Sequence, residues 1–295
     1  MSVRIGVNPI GWTNDDLHEL GGDTPLEVCL DEARQAGYAG IELGRKFPRR
    51  AAELRPILAR HGLALVSGWY GAELRHRSAA AEIRALTDHL DLLADMGATV
   101  LVFAETSDSV QDRRDVPVSR RPRLAEGAWR PWADALTEIA EHTQARGVRL
   151  AYHHHMGTVV ETAEEIDRLM ELCGAAVGLL LDTGHLTYAG ADPAAVARRH
   201  AGRIVHVHCK DVRPAVLAEA QRHDRSFLDA VVEGVFTVPG DGGIDFGAVV
   251  RVLKDAGYAG WLVVEAEQDP ANAHPLTYAR KGFAHLRALT SAAGL

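Results

Sequence analysis

The chain has 295 residues, 47% hydrophobic and 24% charged, and 32 Lys and Arg against 40 Asp and Glu leave a net charge of −8 with histidine neutral. Such a length and apolar content support a sizeable buried core and exclude a fibrous or disordered chain. The acidic balance argues against nucleic acid and anionic membranes as partners, since both are held by Lys and Arg.

Short apolar runs alternate with stretches of helical period. In chain order the expected strands are Val3–Val7, Ala39–Leu43, Ala64–Gly68, Thr99–Phe103, Arg149–His153, Val177–Leu181, Arg203–His208 and Trp261–Glu265. The expected helices between them are Thr24–Ala36, Ala51–Arg60, Ser78–Met96, Gly127–Arg146, Thr162–Cys173, Pro193–His200 and Phe246–Ala256. Gly37, Gly62, Gly97, Gly147, Gly174, Gly202 and Gly257 follow helical stretches, as left-handed C-caps would. Eight strands separated by helices predict an α/β fold, the (β/α)8 TIM barrel. A doubly wound sheet is disfavoured because no G-x-G-x-x-G follows the first strand. No composition shift marks a boundary, so residues 1–295 are expected to form a single barrel domain. Its long loops, at about 107–126 and 211–245, follow the fourth and seventh strands and would cover the face where barrels carry their sites.

Cys29, Cys173 and Cys209 are odd in number and lack C-x-x-C spacing, which makes a disulfide framework or zinc finger implausible. No apolar run approaches the roughly 18–20 residues that span a bilayer, and the expectation is a cytoplasmic protein with no membrane contact.

Histidine is the unusual residue. Seven of the 15, namely His153, His154, His155, His185, His200, His206 and His208, fall in one stretch. Side chains at i and i+2 of a strand share a face, so His153 and His155 point together into the barrel, as do His206 and His208. The sixth apolar strand runs into Asp182 and the eighth ends in Glu265. Four consecutive strands therefore deliver His153, Asp182, His208 and Glu265 to one rim, where a mere core would have stayed apolar. Two imidazoles and two carboxylates suit Mn²⁺, Co²⁺, Fe²⁺ or Zn²⁺ better than Mg²⁺ or Ca²⁺.

These strand ends resemble the xylose-isomerase-like barrels of the sugar phosphate isomerase/epimerase superfamily, which hold a divalent metal with a Glu-Asp-His-Glu set at strands five to eight. Asp182, His208 within His208-Cys-Lys-Asp211, and Glu265 match the last three positions, and Asp182-Thr-Gly-His185 matches the family's Asp-x-x-His. At the first position His153 stands where the family has Glu. Within the superfamily, Val7-Asn-Pro-Ile-Gly-Trp12, Asn14-Asp15-Asp16, Gly21-Gly22, Glu42-Leu-Gly-Arg-Lys-Phe-Pro48, Tyr152-His-His-His-Met-Gly-Thr158 and Val238-Pro-Gly-Asp-Gly-Gly-Ile-Asp-Phe246 are similar to the inosose dehydratase family, along almost the whole chain. The resemblance implies a hydro-lyase of inositol catabolism, with 2-keto-myo-inositol, a cyclic keto-polyol, as its small-molecule substrate. It further implies Mn²⁺ or Co²⁺, brings glutathione by family likeness alone, and leaves homo-oligomerisation through the helical shell open.

Loss of water from such a ketone needs an electrophile for the enolate, a base and an acid. His155 and His185, beside the expected ligands, and Glu42, at the end of the second strand, are the candidate acid and base. Lys46, Lys210 and Arg213 could bind ring hydroxyls or neutralise the enolate. Trp12, in a polar loop, is favoured over Trp69 as an apolar wall for the ring, Trp69 being read as core. Cys209 alternates away from His208 and is not expected to act as a nucleophile. His18, His61, His76, His89, His142 and His285 read as solvent histidines. Three other activities remain as alternatives: a metal-dependent ketose or keto-inositol isomerase or 3-epimerase working through an enediolate, an apurinic-site endonuclease, which the net charge disfavours, and a non-catalytic polyol-binding barrel.

Overall fold

The computed structural model describes residues 3–295; Met1 and Ser2, included in the expected domain, lie outside the described residues. Strands β1 (Arg4–Val7), β2 (Gly40–Leu43), β3 (Ala64–Ala72), β4 (Val100–Glu105), β5 (Arg149–His153), β6 (Gly178–Asp182) and β7 (Ile204–Cys209) precede a two-stranded ribbon of β8 (Asp211–Val212) and β9 (Phe236–Thr237), and β10 (Trp261–Val264) follows it. All except the ribbon pair in parallel and close a barrel in the order β1-β10-β7-β6-β5-β4-β3-β2. This is the TIM barrel read from the sequence, with every expected strand in place.

The helices are α1 (Leu26–Ala36), α2 (Ala51–His61), α3 (Ala79–Met96), α4 (Trp129–Ala145), α5 (Ala163–Leu172), α6 (Thr183–Tyr188), α7 (Pro193–Arg199), α8 (Pro214–Arg222), α9 (Phe227–Val232), α10 (Phe246–Asp255) and α11 (Pro275–Ala293). Helix α5 shows how locally these are specified. Thr162 and Glu165 form a reciprocal capping box at its start, and its buried face is Ile166, Leu169 and Met170, at helical spacing. Two of the expected glycine caps fail. Helix α5 ends on an extended Cys173 and α7 on His200, and neither Gly174 nor Gly202 has a positive φ. Helix α11, 19 residues long, has no counterpart in the sequence reading. Its buried face is Ala279, Gly282, Leu286 and Thr290, so small residues replace the apolar stripe that would have announced it.

Alternation in the strands sorts each side chain inward or outward. Leu150 and Tyr152 of β5, Leu179 and Leu181 of β6, Val207 and Cys209 of β7, and Leu262 and Val264 of β10 all belong to the main apolar core against the helices. The residues between them face the lumen, where Val100, Val102, Ala151 and Leu180 pack together below the mouth. A second apolar cluster unites the β→α loops: Val118, Met156, Tyr188, Phe227, Val231 and Phe236 are among its buried members. The loops at 107–126 and 211–245 are also tied to each other, Val118 N donating to Arg225 O at 3.2 Å and Ser119 Oγ to Asp224 at 2.6 Å. They form a packed cap with its own core.

Candidate functional site

At the mouth, one donor atom each from His153, Asp182, His208 and Glu265 lies within 4.8 Å of the other three. Pairing of β6 with β7 sets Asp182 directly beside His208, and all four side chains are buried. His208 Nδ1 is 2.6 Å from Glu265 Oε2 and 3.5 Å from Asp182 Oδ2, while His153 Nε2 is 3.5 Å from the same Asp182 oxygen. Despite this proximity, neither Asp182 Oδ2 nor His208 Nδ1 has a hydrogen-bond partner. Two buried polar atoms that converge without bonding, in a set of two imidazoles and two carboxylates, fit a divalent cation held between them.

Asp182 divides its two oxygens between tasks. Oδ1 accepts from His185 N at 2.8 Å and caps α6; Oδ2 faces the cluster. Burial would raise its pKa, but Lys210 and His185 hold it well below the usual carboxylate range. For Glu265 burial is likewise outweighed, by His208 and Lys210, and its pKa is about 2. His208 behaves in reverse: burial opposes its charge, yet Glu265 and Glu42 hold it well above an ordinary imidazole. The carboxylates thus call for positive charge at this point, which a divalent cation held by His153, Asp182, His208 and Glu265 would supply.

Glu42 is brought to the same rim and held by four hydrogen bonds. It accepts from Asn8 Nδ2 at 2.8 Å, His206 Nε2 at 2.8 Å, His208 Nε2 at 3.2 Å and Ser67 Oγ. Although burial would raise its pKa, His208 and His206 hold it well below the carboxylate range. Three of these donors share Oε1 and only Asn8 reaches Oε2, so Oε2 keeps a free lone pair in a side chain that lines the cavity. Through Oε1 Glu42 also orients His208 by its far nitrogen.

Lys210 is wholly buried, its Nζ 2.7 Å from Glu265 Oε1, 2.5 Å from Glu267 Oε1 and 3.0 Å from His185 Nε2. The other expected substrate contacts are placed elsewhere. Lys46 Nζ donates to the carbonyls of Gly22 at 2.6 Å and Thr24 at 2.5 Å. Arg213 is bonded to Gly234 O, Phe236 O, Thr237 and Asp241 inside the cap. Each cation is spent on groups of its own loops. Trp12 and Trp69 exchange roles: Trp12 is 2% exposed and its indole N–H donates to Glu32 at 2.7 Å, whereas Trp69 is 37% exposed and stands edge-on to His153 and His155 at 5.2 and 5.7 Å. His61, expected in solvent, is clamped between Glu27 at 2.6 Å and Asp31 at 2.9 Å.

A cavity opens onto the cluster, lined by His208, Glu265, Glu42, Trp69 and His155 together with Asn8, Asp16, Gln111 and Glu267, which the sequence reading had not assigned. Glu267 was accessible to the same i, i+2 rule, since it follows Glu265 by two. Burial pushes its pKa up, and its Oε2 has no partner. The rings of His155 and His185 lie 3.9 Å apart, and burial foremost holds both pKa values well below 6.5. Asp211, the last residue of the His-x-Lys-Asp motif, serves the cap: it accepts from the backbone N–H groups of Gly240, Gly242 and Ile244 at 2.9–3.0 Å and so gathers the 238–244 turn.

Residues 30–289 match the family model described as xylose isomerase-like TIM barrel. The chain is 56% identical over 294 residues to the rhizopine catabolism protein MocC of Rhizobium meliloti, covering 100% of this chain and 90% of that one. To the inosose dehydratase of Geobacillus thermodenitrificans it is 45% identical over 287 residues, covering 97% and 96%. Its fold superposes on the solved structure of the IolI protein with a bound zinc atom, with a TM-score of 0.67 and 16% identity over 99% of this chain and 98% of that one. The chain belongs to the xylose isomerase-like TIM barrel family.

Proposed function

We propose that the protein is a metal-dependent hydro-lyase that removes water from 2-keto-myo-inositol to give a trihydroxycyclohexane-1,2-dione in inositol catabolism. The observation that carries this reading is the four-donor cluster beneath a cavity lined with polar side chains, in a chain 45% identical to an inosose dehydratase over nearly its full length. His153, Asp182, His208 and Glu265 would hold the metal, with Mn²⁺ or Co²⁺ the proposed occupant. When bound, it supplies Lewis acidity for the ketone oxygen.

The proton transfers fall to side chains of the chain itself. His155 Nδ1 lies 2.7 Å from the Met156 carbonyl, which can only accept, so Nδ1 carries the ring proton and Nε2 keeps its lone pair. In this tautomer His155, which lines the cavity, is the base for the proton α to the carbonyl. Glu267 presents its unpartnered oxygen to the same cavity, and burial favours its protonated form. It would deliver a proton to the β-hydroxyl as the C–O bond breaks and water departs. The enol left behind becomes the dione by a proton shift to carbon. Trp69 borders the space beside both histidines and would shield the reacting carbons from water.

Incubation with 2-keto-myo-inositol and Mn²⁺ or Co²⁺ should build up the near-ultraviolet band of a dione, and chelation should abolish it reversibly. An isomeric ketone without that band would instead mark an isomerase or epimerase and overturn the lyase reading. The pH profile follows from His155. Because burial lowers its pKa, the base form dominates at neutral pH, and the acidic limb of kcat/KM should fall below pH 6.5. A rate still climbing through pH 7 to 8 would remove His155 from the role.

A further inference from the structure

Among the described residues, three cavity-lining side chains carry a buried polar atom with no partner: His208 Nδ1, Glu267 Oε2 and Gln111 Oε1. The first belongs to the four-donor cluster and the second to the proposed acid. Gln111 is 8% exposed and belongs to neither. Buried polar atoms are nearly always satisfied, so an amide oxygen left open toward a cavity points to a group that arrives with the ligand.

The backbone that carries Gln111 is held in place. Val110 N donates to Gly157 O at 3.0 Å, and Gly157 sits at φ +81°, where a Cβ would lie 2.9 Å from Gln111 N. Only glycine tolerates both that conformation and that approach. At the far end of the same loop the buried Arg121 donates to Thr158 O at 3.0 Å and pairs with Glu161 and Glu165 at 3.1 and 2.8 Å. The His-His-His-Met-Gly-Thr segment therefore supplies a base at His155 and, two residues further on, the seat for Gln111 at Gly157. A side chain fixed this way is preorganised for recognition.

We propose that Gln111 is a specificity-determining residue that accepts a hydrogen bond from one ring hydroxyl of the bound cyclitol, outside the pair of carbons that react. A neutral amide suits a hydroxyl, which both donates and accepts, better than an ammonium or a phosphate. This rests on the dehydratase reading above, which it deepens by naming what the site counts on the ring.

The test uses the metal-loaded full-length enzyme, 2-keto-myo-inositol and its monodeoxy analogues, with kcat and KM read separately. Gln111→Leu should raise KM about tenfold, the usual worth of one buried hydrogen bond, with kcat changed less than about threefold. For one deoxy analogue the wild type and the variant should have the same KM. Gln111→Glu, which keeps an acceptor, should restore most of the loss. A penalty equal across all analogues, or no change in KM, overturns the assignment. Should the wild type fail to turn over the ketone, the dehydratase reading falls separately. Calorimetric titration of the same panel then decides: a Kd difference that vanishes for one analogue supports Gln111, and a uniform one overturns it.

Discussion

Asp182→Asn should yield a folded protein that retains almost no divalent metal and whose kcat/KM is lowered more than about 100-fold, the upper cost of losing a mere outer-shell partner of a metal ligand. The two oxygens of Asp182 make the variant informative. Oδ1 accepts from His185 N at 2.8 Å and starts α6, and asparagine caps a helix as well as aspartate does. Oδ2 faces His153, His208 and Lys210 at 3.5, 3.5 and 3.8 Å with no hydrogen bond. Substitution therefore leaves size, cap and strand register in place and removes one negative charge from the point where two imidazoles and a second carboxylate converge. Metal analysis of the purified variant, with its thermal midpoint, checks the claim. Full metal content with undiminished turnover would show that the cluster is not the site.

The strands and the convergence of His153, Asp182, His208 and Glu265 were legible because they obey a single rule. In β5, β6, β7 and β10 every second residue is apolar and packs against helices, so a His, Asp or Glu in the intervening positions must face the lumen. The contacts that reassign other residues are non-local and leave no periodic trace. Trp12 finds its carboxylate on α1, 20 positions away, and Lys46 finds two carbonyls 22 and 24 positions back. From sequence, both look like free polar-loop residues. Trp69 was read as core, as a large aromatic near a strand end usually is; β3 runs past the expected Gly68 to Ala72 and leaves the indole out at the mouth. Gln111 carries no pattern at all. Its placement depends on a backbone contact with Gly157, 46 positions later, and the only trace of that contact in the sequence is the glycine itself.

Lys210→Met should cost about 3–5 kcal/mol of stability at pH 8, as expected when one member of a buried charge network is removed. The stem is not at issue. It packs on Gly184, where a Cβ would lie 2.6–2.8 Å from the lysine's Cβ, Cγ and Cδ, and methionine fills the same course. What disappears is the cation between Glu265 and Glu267, with Asp182 beyond. In the wild type burial would lower the lysine's pKa, but those three carboxylates raise it. Its stabilising effect is therefore complete below the unfolded lysine value of about 10.4, lost only above it, and constant between pH 5 and 8. In the variant Glu265 keeps His208, but Glu267 loses its nearest cation, and burial lifts its already raised folded-state pKa further above the unfolded value. The native state then binds more protons than the unfolded chain, so stability falls as pH rises. The deficit against wild type should shrink markedly from pH 8 to pH 5 in urea unfolding of the two chelated proteins. An equal deficit at both pH values would mean that lost packing, rather than stranded carboxylate charge, destabilises the variant.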